Sequence, residues 1–111
     1  MGNINYFSGI VKILETPIQT FFNNKMPVTT FRVEIPQTRN NRIISLVFWG
    51  NLAREVKNYY QINDYILIEG YTSIRNKKNE NLTNKNSKKA TVTVLKVYPF
   101  LLKTNRTSSK I

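Results

Sequence analysis

Polar and apolar residues alternate in the stretch from Val28 to Ile35, without interruption from Thr30 onward, and no other feature of the chain constrains its fold as tightly. Phe31 and Val33 share one parity, and Arg32 between them has the other. A period of two places successive side chains on opposite faces of a strand, so the pattern predicts a strand with one buried face. The chain therefore contains a sheet with one buried face and one solvent-exposed face.

Four more segments are rich in β-branched and aromatic residues and predict strands over residues 4–15, 43–49, 65–75 and 90–98. Residues 16–27 contain turn-forming residues and predict a loop or wide hairpin.

A short helix is predicted directly after the third strand. Asn51 is a suitable N-cap residue. The apolar residues that follow recur at helical spacing: Leu52, Val56, Tyr59 and Tyr60.

Two glycines and a proline mark irregular positions. Gly9 predicts a bend or bulge in the first strand, and Gly70 predicts a sharp bend or the close approach of another backbone. Pro99 is predicted to end the last strand because proline cannot donate to a ladder. We therefore expect one domain over residues 1–98 and a basic, disordered tail over 99–111.

Strand parity divides the apolar residues into a core set and an exposed set. Trp49 has the parity opposite to the core residues of its strand and is expected to be exposed. Ile4, Ile10 and Leu14 are left over in the first strand and suggest a subunit interface. The predicted core consists of Phe7, Val11, Phe31, Val33, Ile44, Leu46, Phe48, Leu52, Val56, Ile66, Ile68, Val92 and Val94.

Five strands with a single helix between the third and the fourth, in a chain of 111 residues, are the element order of the OB-fold. We therefore predict an all-β protein with one short helix, folded as a five-stranded Greek-key barrel. One face of such a barrel commonly binds oligonucleotides.

The charge balance is strongly basic. The chain has 17 Lys and Arg against 6 Asp and Glu, which gives a formal net charge of +11. Such a charge attracts polyanions, and nucleic acid is the first candidate. The alternative is that AT-rich coding DNA has enriched Lys, Asn and Ile without selection for binding. That drift also hints at an organellar or endosymbiont genome.

Cys and His are both absent. Their absence excludes disulfides, thiolate or imidazole metal sites and nucleophiles that depend on Cys or His. The six acidic residues are scattered along the chain, so we expect no enzyme, no catalytic residue, no cofactor and no metal. No apolar run reaches the roughly 20 residues that a membrane span needs, so no membrane partner is expected.

Three stretches carry a resemblance to a known family: VTTFRVEI over residues 28–35, LVFWGNLAREVKNYY over 46–60 and ILIEGYTSIR over 66–75. The sequence resembles the bacterial-type single-stranded DNA-binding proteins and is most similar to the short members encoded in algal plastid genomes. The resemblance implies a homo-oligomer, usually a tetramer, that wraps single-stranded DNA over its outer sheet faces in replication, repair or recombination. It also implies a location in the plastid stroma, with the cytoplasm of an AT-rich bacterium as the alternative.

The resemblance places Trp49 on a base-stacking aromatic position and Arg75 on a basic position beside the DNA. Arg39, Ile43 and Lys77 depart from it, because the family often has aromatic residues there. Binding is therefore expected to depend more on charge than on stacking. The sequence ends in SSKI instead of the family's acidic tip, so recruitment of replication proteins through such a tip is not expected.

Further nucleic-acid contacts are predicted from the residues themselves. Arg32 either contacts phosphate or pairs with Glu34 or another neighbour. Tyr71 is either a second stacking platform or a packing residue. Arg39 and Arg42 lie in a turn expected to overhang the same face. A loop with a net charge of +4 is expected to follow the phosphate backbone through Lys77, Lys78, Lys85, Lys88 and Lys89.

Two other functions stay open at this point. The first is an RNA-binding OB module, because stacking and phosphate contacts do not by themselves distinguish the sugar. The second is a protein-interaction module of the primosomal type that binds nucleic acid weakly.

Overall fold

Six strands and one helix form the protein, as seen in a computed structural model that describes residues 5–36, 40–76 and 88–103. The elements in chain order are β1 (Tyr6–Ile13), β2 (Ile18–Phe22), β3 (Met26–Ile35), β4 (Arg42–Trp49), α1 (Asn51–Tyr59), β5 (Tyr65–Asn76) and β6 (Lys88–Leu101). The predicted strands correspond to β1, β3, β4, β5 and β6. Within the described ranges, no helix is long and apolar enough to cross a membrane.

The predicted OB-fold barrel is confirmed. The sheet order is β1-β5-β6-β4-β3-β2, and an additional pairing of β1 with β3 closes the first five of these strands into a ring. At the closure, Lys12 lies opposite Glu34 and Ile13 lies opposite Val33. β4 and β6 run parallel, whereas the other neighbouring strands are antiparallel.

β2 lies outside the ring and pairs with β3 as a hairpin. It occupies the segment for which a loop or wide hairpin was predicted. Asn23 and Asn24 form the turn with φ angles of 55° and 58°. Three residues, Asn23 to Lys25, separate the paired residues Phe22 and Met26, and Asn tolerates the positive φ that this turn requires.

The core inside the ring matches the predicted set closely. Phe7 and Leu52 are only partly buried but pack against it. The buried members of the predicted set are Val11, Phe31, Val33, Ile44, Leu46, Phe48, Val56, Ile66, Ile68, Val92 and Val94. Ile13, Ala53 and Tyr60 are also buried, although they are not in the predicted set.

α1 covers one end of the barrel by burying Ala53 and Val56. The buried hydroxyl of Thr29 donates a hydrogen bond of 2.7 Å to the carbonyl oxygen of Ala53 and so links β3 to the helix. The N-cap is Gly50, with φ of 68°, and not Asn51 as predicted. A left-handed residue is needed where β4 turns into the helix, and glycine adopts that conformation without a steric penalty.

Gly70 lies directly against a neighbouring backbone, as predicted. A Cβ atom at this position would collide with the carbonyl oxygen of Thr93. The β5–β6 register shifts between Glu69 and Gly70, which leaves Leu95 as an extra residue in β6. A bulge of this kind bends the strand and increases its twist.

The bulge predicted at Gly9 is wrong. β1 pairs with β5 in continuous register from Tyr6 to Lys12, through Gly9. A Cβ atom on Gly9 would lie 3.2 Å from the ring of Phe7. The aromatic ring therefore covers the backbone where Gly9 has no side chain, and the strand stays regular.

β6 does not end at Pro99 but continues to Leu101, beyond the predicted domain boundary. Pro99 lies opposite Ile66, beside a second register shift in the β5–β6 ladder. The ladder that β6 forms with β4 covers Thr91 to Thr93, so Pro99 lies beyond it. Proline is tolerated at such a strand edge because no ladder bond is required of its nitrogen.

The chain beyond β6 is fastened to the start of β5 by a buried carboxylate. Oδ1 of Asp64 accepts a hydrogen bond of 2.8 Å from the backbone N–H of Lys103, and Oδ2 accepts one of 2.8 Å from that of Gln61. The tail that was predicted to be disordered begins at residue 99, and its residues 104–111 lie outside the described ranges.

Replacing Gly70 tests the close approach of β5 to β6. Gly70→Ala is expected to lower the free energy of unfolding by about 1–3 kcal/mol, because the new methyl group overlaps the Thr93 backbone. Urea denaturation measures the loss. Gly9→Ala is the matched control and is expected to cost less, since the ring of Phe7 can move. Equal losses in the two variants would contradict the assignment.

Candidate nucleic-acid interface

The outward-facing residues of four strands form one continuous surface. Tyr71 on β5 lies opposite Thr93 on β6, and Thr93 lies beside Val47 on β4. Val47 in turn lies opposite Thr30 on β3. These four residues form a row across the outer sheet, and the surface that contains the row is called the outer face below.

Trp49 lies on the outer face at the end of β4, two residues beyond Val47. Its side chain is 43% exposed, which confirms the exposure expected from strand parity. From the strand spacing and the rise per residue, Trp49 and Tyr71 are about 12 Å apart along the sheet. This separation is short enough for one oligonucleotide to contact both rings.

Tyr71 is 44% exposed and has an aromatic neighbour on β1. The rings of Tyr71 and Tyr6 are edge to face, with centroids 5.5 Å apart. The hydroxyl of Tyr6 donates a hydrogen bond of 2.8 Å to Oε1 of Glu69, and this bond raises the pKa of Tyr6. Tyr71 is therefore both packed on one side and accessible on the other, so its stacking role stays a prediction.

Arg32 forms an ion pair, although not with Glu34. Its Nε donates to Oε2 of Glu15 at 2.7 Å, and its backbone N–H donates to Oε1 of the same carboxylate at 3.0 Å. These two hydrogen bonds lower the pKa of Glu15. Arg32 remains exposed on the polar side of β3, and its contact with phosphate stays a prediction.

Arg42 begins β4 with the parity of the core residue Ile44, so it does not lie among the residues of the outer face. Its side chain is exposed and lines a cavity of about 180 Å³. The cavity lies among inward-facing residues of the barrel: Phe7, Ile35, Ile44, Thr72, Ala90 and Val92.

The remaining basic candidates are placed by the backbone or lie outside the described residues. Arg75 on β5 lies opposite Lys89 on β6, and Lys88 follows in the same ladder opposite Asn76. The ladder therefore brings basic residues of two strands next to each other. Arg39, Lys77, Lys78 and Lys85 fall outside the described ranges.

Phe22 was missed by the sequence reasoning. It lies at the end of β2, its side chain is 56% exposed, and its ring centroid is 5.8 Å from that of Trp49. The Asn23-Asn24 turn signal could have placed Phe22 at the end of a hairpin strand, but its contact with Trp49 depends on how β3 pairs with both β2 and β4.

In the described part of the chain, no group of three or more acidic, Cys or His side chains lies close enough to hold a metal ion. The arrangement can instead offer aromatic rings to bases and basic side chains to phosphates.

Solved structures with the same architecture confirm the fold. The small single-stranded DNA-binding protein of Streptomyces coelicolor matches with a TM-score of 0.76 at 15% identity, covering 90% of this chain and 97% of that one. The SSB domain of a Synechococcus protein matches with a TM-score of 0.69 at 23% identity, covering 88% and 98%. The closed barrel and its single helix define the class: this is an OB-fold protein.

Sequence relatives narrow the class to a family. The protein ycf41 of Trieres chinensis, whose name assigns it provisionally as a single-stranded DNA-binding protein, is 41% identical over 103 residues, or 89% of this chain and 91% of that protein. The thylakoid-associated single-stranded DNA-binding protein slr1034 of Synechocystis is 34% identical over 71 residues, or 60% and 55%. No family model matches the chain. The chain belongs to the single-stranded DNA-binding protein family and is similar to its ycf41 branch.

The ion pair between Glu15 and Arg32 predicts a pH-dependent contribution to stability. The lowered pKa of Glu15 means that the native state binds this proton less readily than the unfolded state. The contribution is therefore present above the ordinary pKa of glutamate and is lost as pH falls through the lowered pKa. Glu15→Gln is expected to reduce the free energy of unfolding at neutral pH by less than about 1 kcal/mol, and the difference is expected to vanish in acid.

Urea denaturation at several pH values measures this difference. Glu55→Gln, on the exposed side of α1, removes the same charge and controls for the change in net charge. A difference that persists in acid would contradict the assignment to the ion pair.

Proposed function

We propose that this protein binds single-stranded DNA without base specificity and covers unwound strands in replication, repair or recombination, and that it does so without catalysis. The observation that carries the proposal is the outer face, where Trp49 and Tyr71 are exposed on one surface of a chain whose net charge is +11. Aromatic rings stack on any base because every base has a π-face, so this kind of surface binds without reading sequence.

Charge supplies the second part of the binding energy. With a net charge of +11, the chain releases counterions when it neutralises phosphates. Arg75 and Lys89 lie opposite each other in the β5–β6 ladder, close in sequence to Lys77, Lys78 and Lys85. We propose that this basic segment follows the DNA backbone beside the outer face.

The proposed assembly is a homo-oligomer, and the family resemblance favours a tetramer. Support comes from Ile10 and Leu14, apolar residues of the first strand region that the barrel leaves only partly buried. Ile4, the third residue of the predicted interface, lies outside the described ranges. The proposed location is the plastid. It is supported by the high content of Lys, Asn and Ile, which is typical of AT-rich coding DNA, and by similarity to a relative named for its association with thylakoids.

A titration with oligo(dT) tests the proposal directly. Trp49 is the only tryptophan of the chain, so its fluorescence reports contact at the predicted site. Oligo(dT) is expected to quench this fluorescence, poly(U) to compete less well than poly(dT), and duplex DNA to compete weakly. Absence of binding at low salt would refute the function, and stronger competition by poly(U) would identify an RNA-binding module.

Stacking and charge can be separated by two variants measured at several salt concentrations. Trp49→Ala is expected to remove about 1–3 kcal/mol of binding free energy and to leave the salt dependence unchanged, because the basic side chains still neutralise the same phosphates. Replacing Lys77, Lys78, Lys85, Lys88 and Lys89 with Gln is expected to flatten the log–log salt dependence by about 0.7 units of slope for each phosphate that the protein no longer neutralises.

Trp49→Ala and the lysine variant serve as controls for each other. Because Trp49→Ala has no tryptophan, binding is measured with fluorescently labelled oligo(dT). Thermal melts of Trp49→Ala are expected to stay close to those of the native protein, since the ring is on the outside of the barrel. A large loss of melting temperature with unchanged affinity would show that Trp49 is a packing residue. An unchanged slope in the lysine variant would show that the loop is only solvated.

A further inference from the structure

Phe22 and Trp49 form an open corner on the outer surface of the barrel. Their ring centroids are 5.8 Å apart, and the ring planes meet at 77°. Both side chains stay accessible, with 56% of Phe22 and 43% of Trp49 exposed. Because the two rings already touch, no flat molecule fits between them, but one fits in the angle that they enclose.

The hairpin holds Phe22 in place before any ligand arrives. β2 pairs with β3 along its whole length, and Phe22 lies opposite Met26 at the end of this ladder. The backbone N–H of Lys25 donates a hydrogen bond of 3.1 Å to the carbonyl oxygen of Phe22 and closes the turn. A ring fixed in this way loses little conformational entropy on binding, which favours affinity.

We propose that Phe22 and Trp49 together bind one nucleobase of single-stranded DNA, which stacks on the face of one ring while its edge meets the face of the other. The inference rests on the proposed function and adds to it a second wall from β2. Rings have negative faces and positive edges, so a base in this corner gains both a stacked and an edge-to-face contact. Neither contact reads the identity of the base.

Charge favours a nucleic acid as the occupant of the corner. Lys25 is exposed in the turn directly beside Phe22. The phosphate backbone of a nucleic acid is attracted to Lys25 and to the net charge of +11 that the chain carries. Trp49 also lies two residues from Val47 in the row across the outer face, so a strand that crosses this face reaches the corner.

Phe21 provides a matched control on the same hairpin. It is the same residue type and is 53% exposed, nearly as much as Phe22. Its parity is opposite, because it pairs with the buried residue Pro27, so it lies on the other face of the hairpin. If binding depends only on exposed apolar surface, substitutions at Phe21 and Phe22 weaken it equally. If it depends on the corner, only the substitution at Phe22 weakens it.

The test compares Phe22→Ser, Phe22→Leu and Phe21→Ser in titrations of labelled oligo(dT). Both Phe22 variants are expected to bind at least about fivefold more weakly, with unchanged salt dependence, whereas Phe21→Ser is expected to bind within about twofold of the native protein. Phe22→Leu keeps an apolar side chain without a ring and guards against loss of folding, which thermal melts check. Because the two rings share one base, adding Phe22→Ser to Trp49→Ala is expected to cost less than Phe22→Ser costs alone.

The possible failures are distinguishable. Native affinity in both Phe22 variants would refute base binding in the corner and leave the proposed function intact. A loss of affinity in Phe21→Ser equal to that in Phe22→Ser would have the same meaning. A change of oligomeric state in Phe22→Ser, seen by light scattering, would instead assign the corner to a second copy of the chain. Failure of the native protein to bind oligo(dT) would overturn the proposed function and the corner with it.

Discussion

The close approach of the β5 and β6 backbones at Gly70 is the constraint on which the barrel depends. With no side chain at Gly70, the Thr93 carbonyl can lie against its Cα, and the ladder shifts register at that point. The resulting bend lets the hairpin of β5 and β6 reach β1 on one side and β4 on the other. Without that curvature β1 does not reach β3, and the sheet stays open.

The chemistry of the outer face follows from the strand parity that builds the core. In β4, burial of Leu46 and Phe48 leaves Val47 and Trp49 outside. In β5, burial of Ile66 and Ile68 leaves Tyr71 outside. A sequence that fills a small barrel with alternating apolar residues therefore fixes where its exposed rings lie. Selection can then change the outward residues with little effect on the interior.

Much of this architecture could be predicted from the sequence because it depends on local patterns. Alternation located β3 and β4, and it correctly assigned Trp49 to the exposed side. The errors came from tertiary context: the ring of Phe7 covers Gly9, and Pro99 lies beyond the ladder with β4. The partners of Arg32 and Trp49 could not be predicted either, because Glu15 and Phe22 approach them only after the chain has folded.

The position of β6 in the ring has a consequence for how the chain is made. It follows the other five described strands in sequence, yet it lies between β5 and β4, and β1 has to reach β5 across about half of the chain. Pairings between such distant segments slow folding, because a long loop must close before they form. The ribosome makes β6 after the other strands of the barrel, so the nascent chain exposes the edges of β4 and β5 until β6 has been made. The barrel therefore closes only after β6 has left the ribosome, and a chain that stops short of β6 displays two open edges instead of a smaller version of the fold.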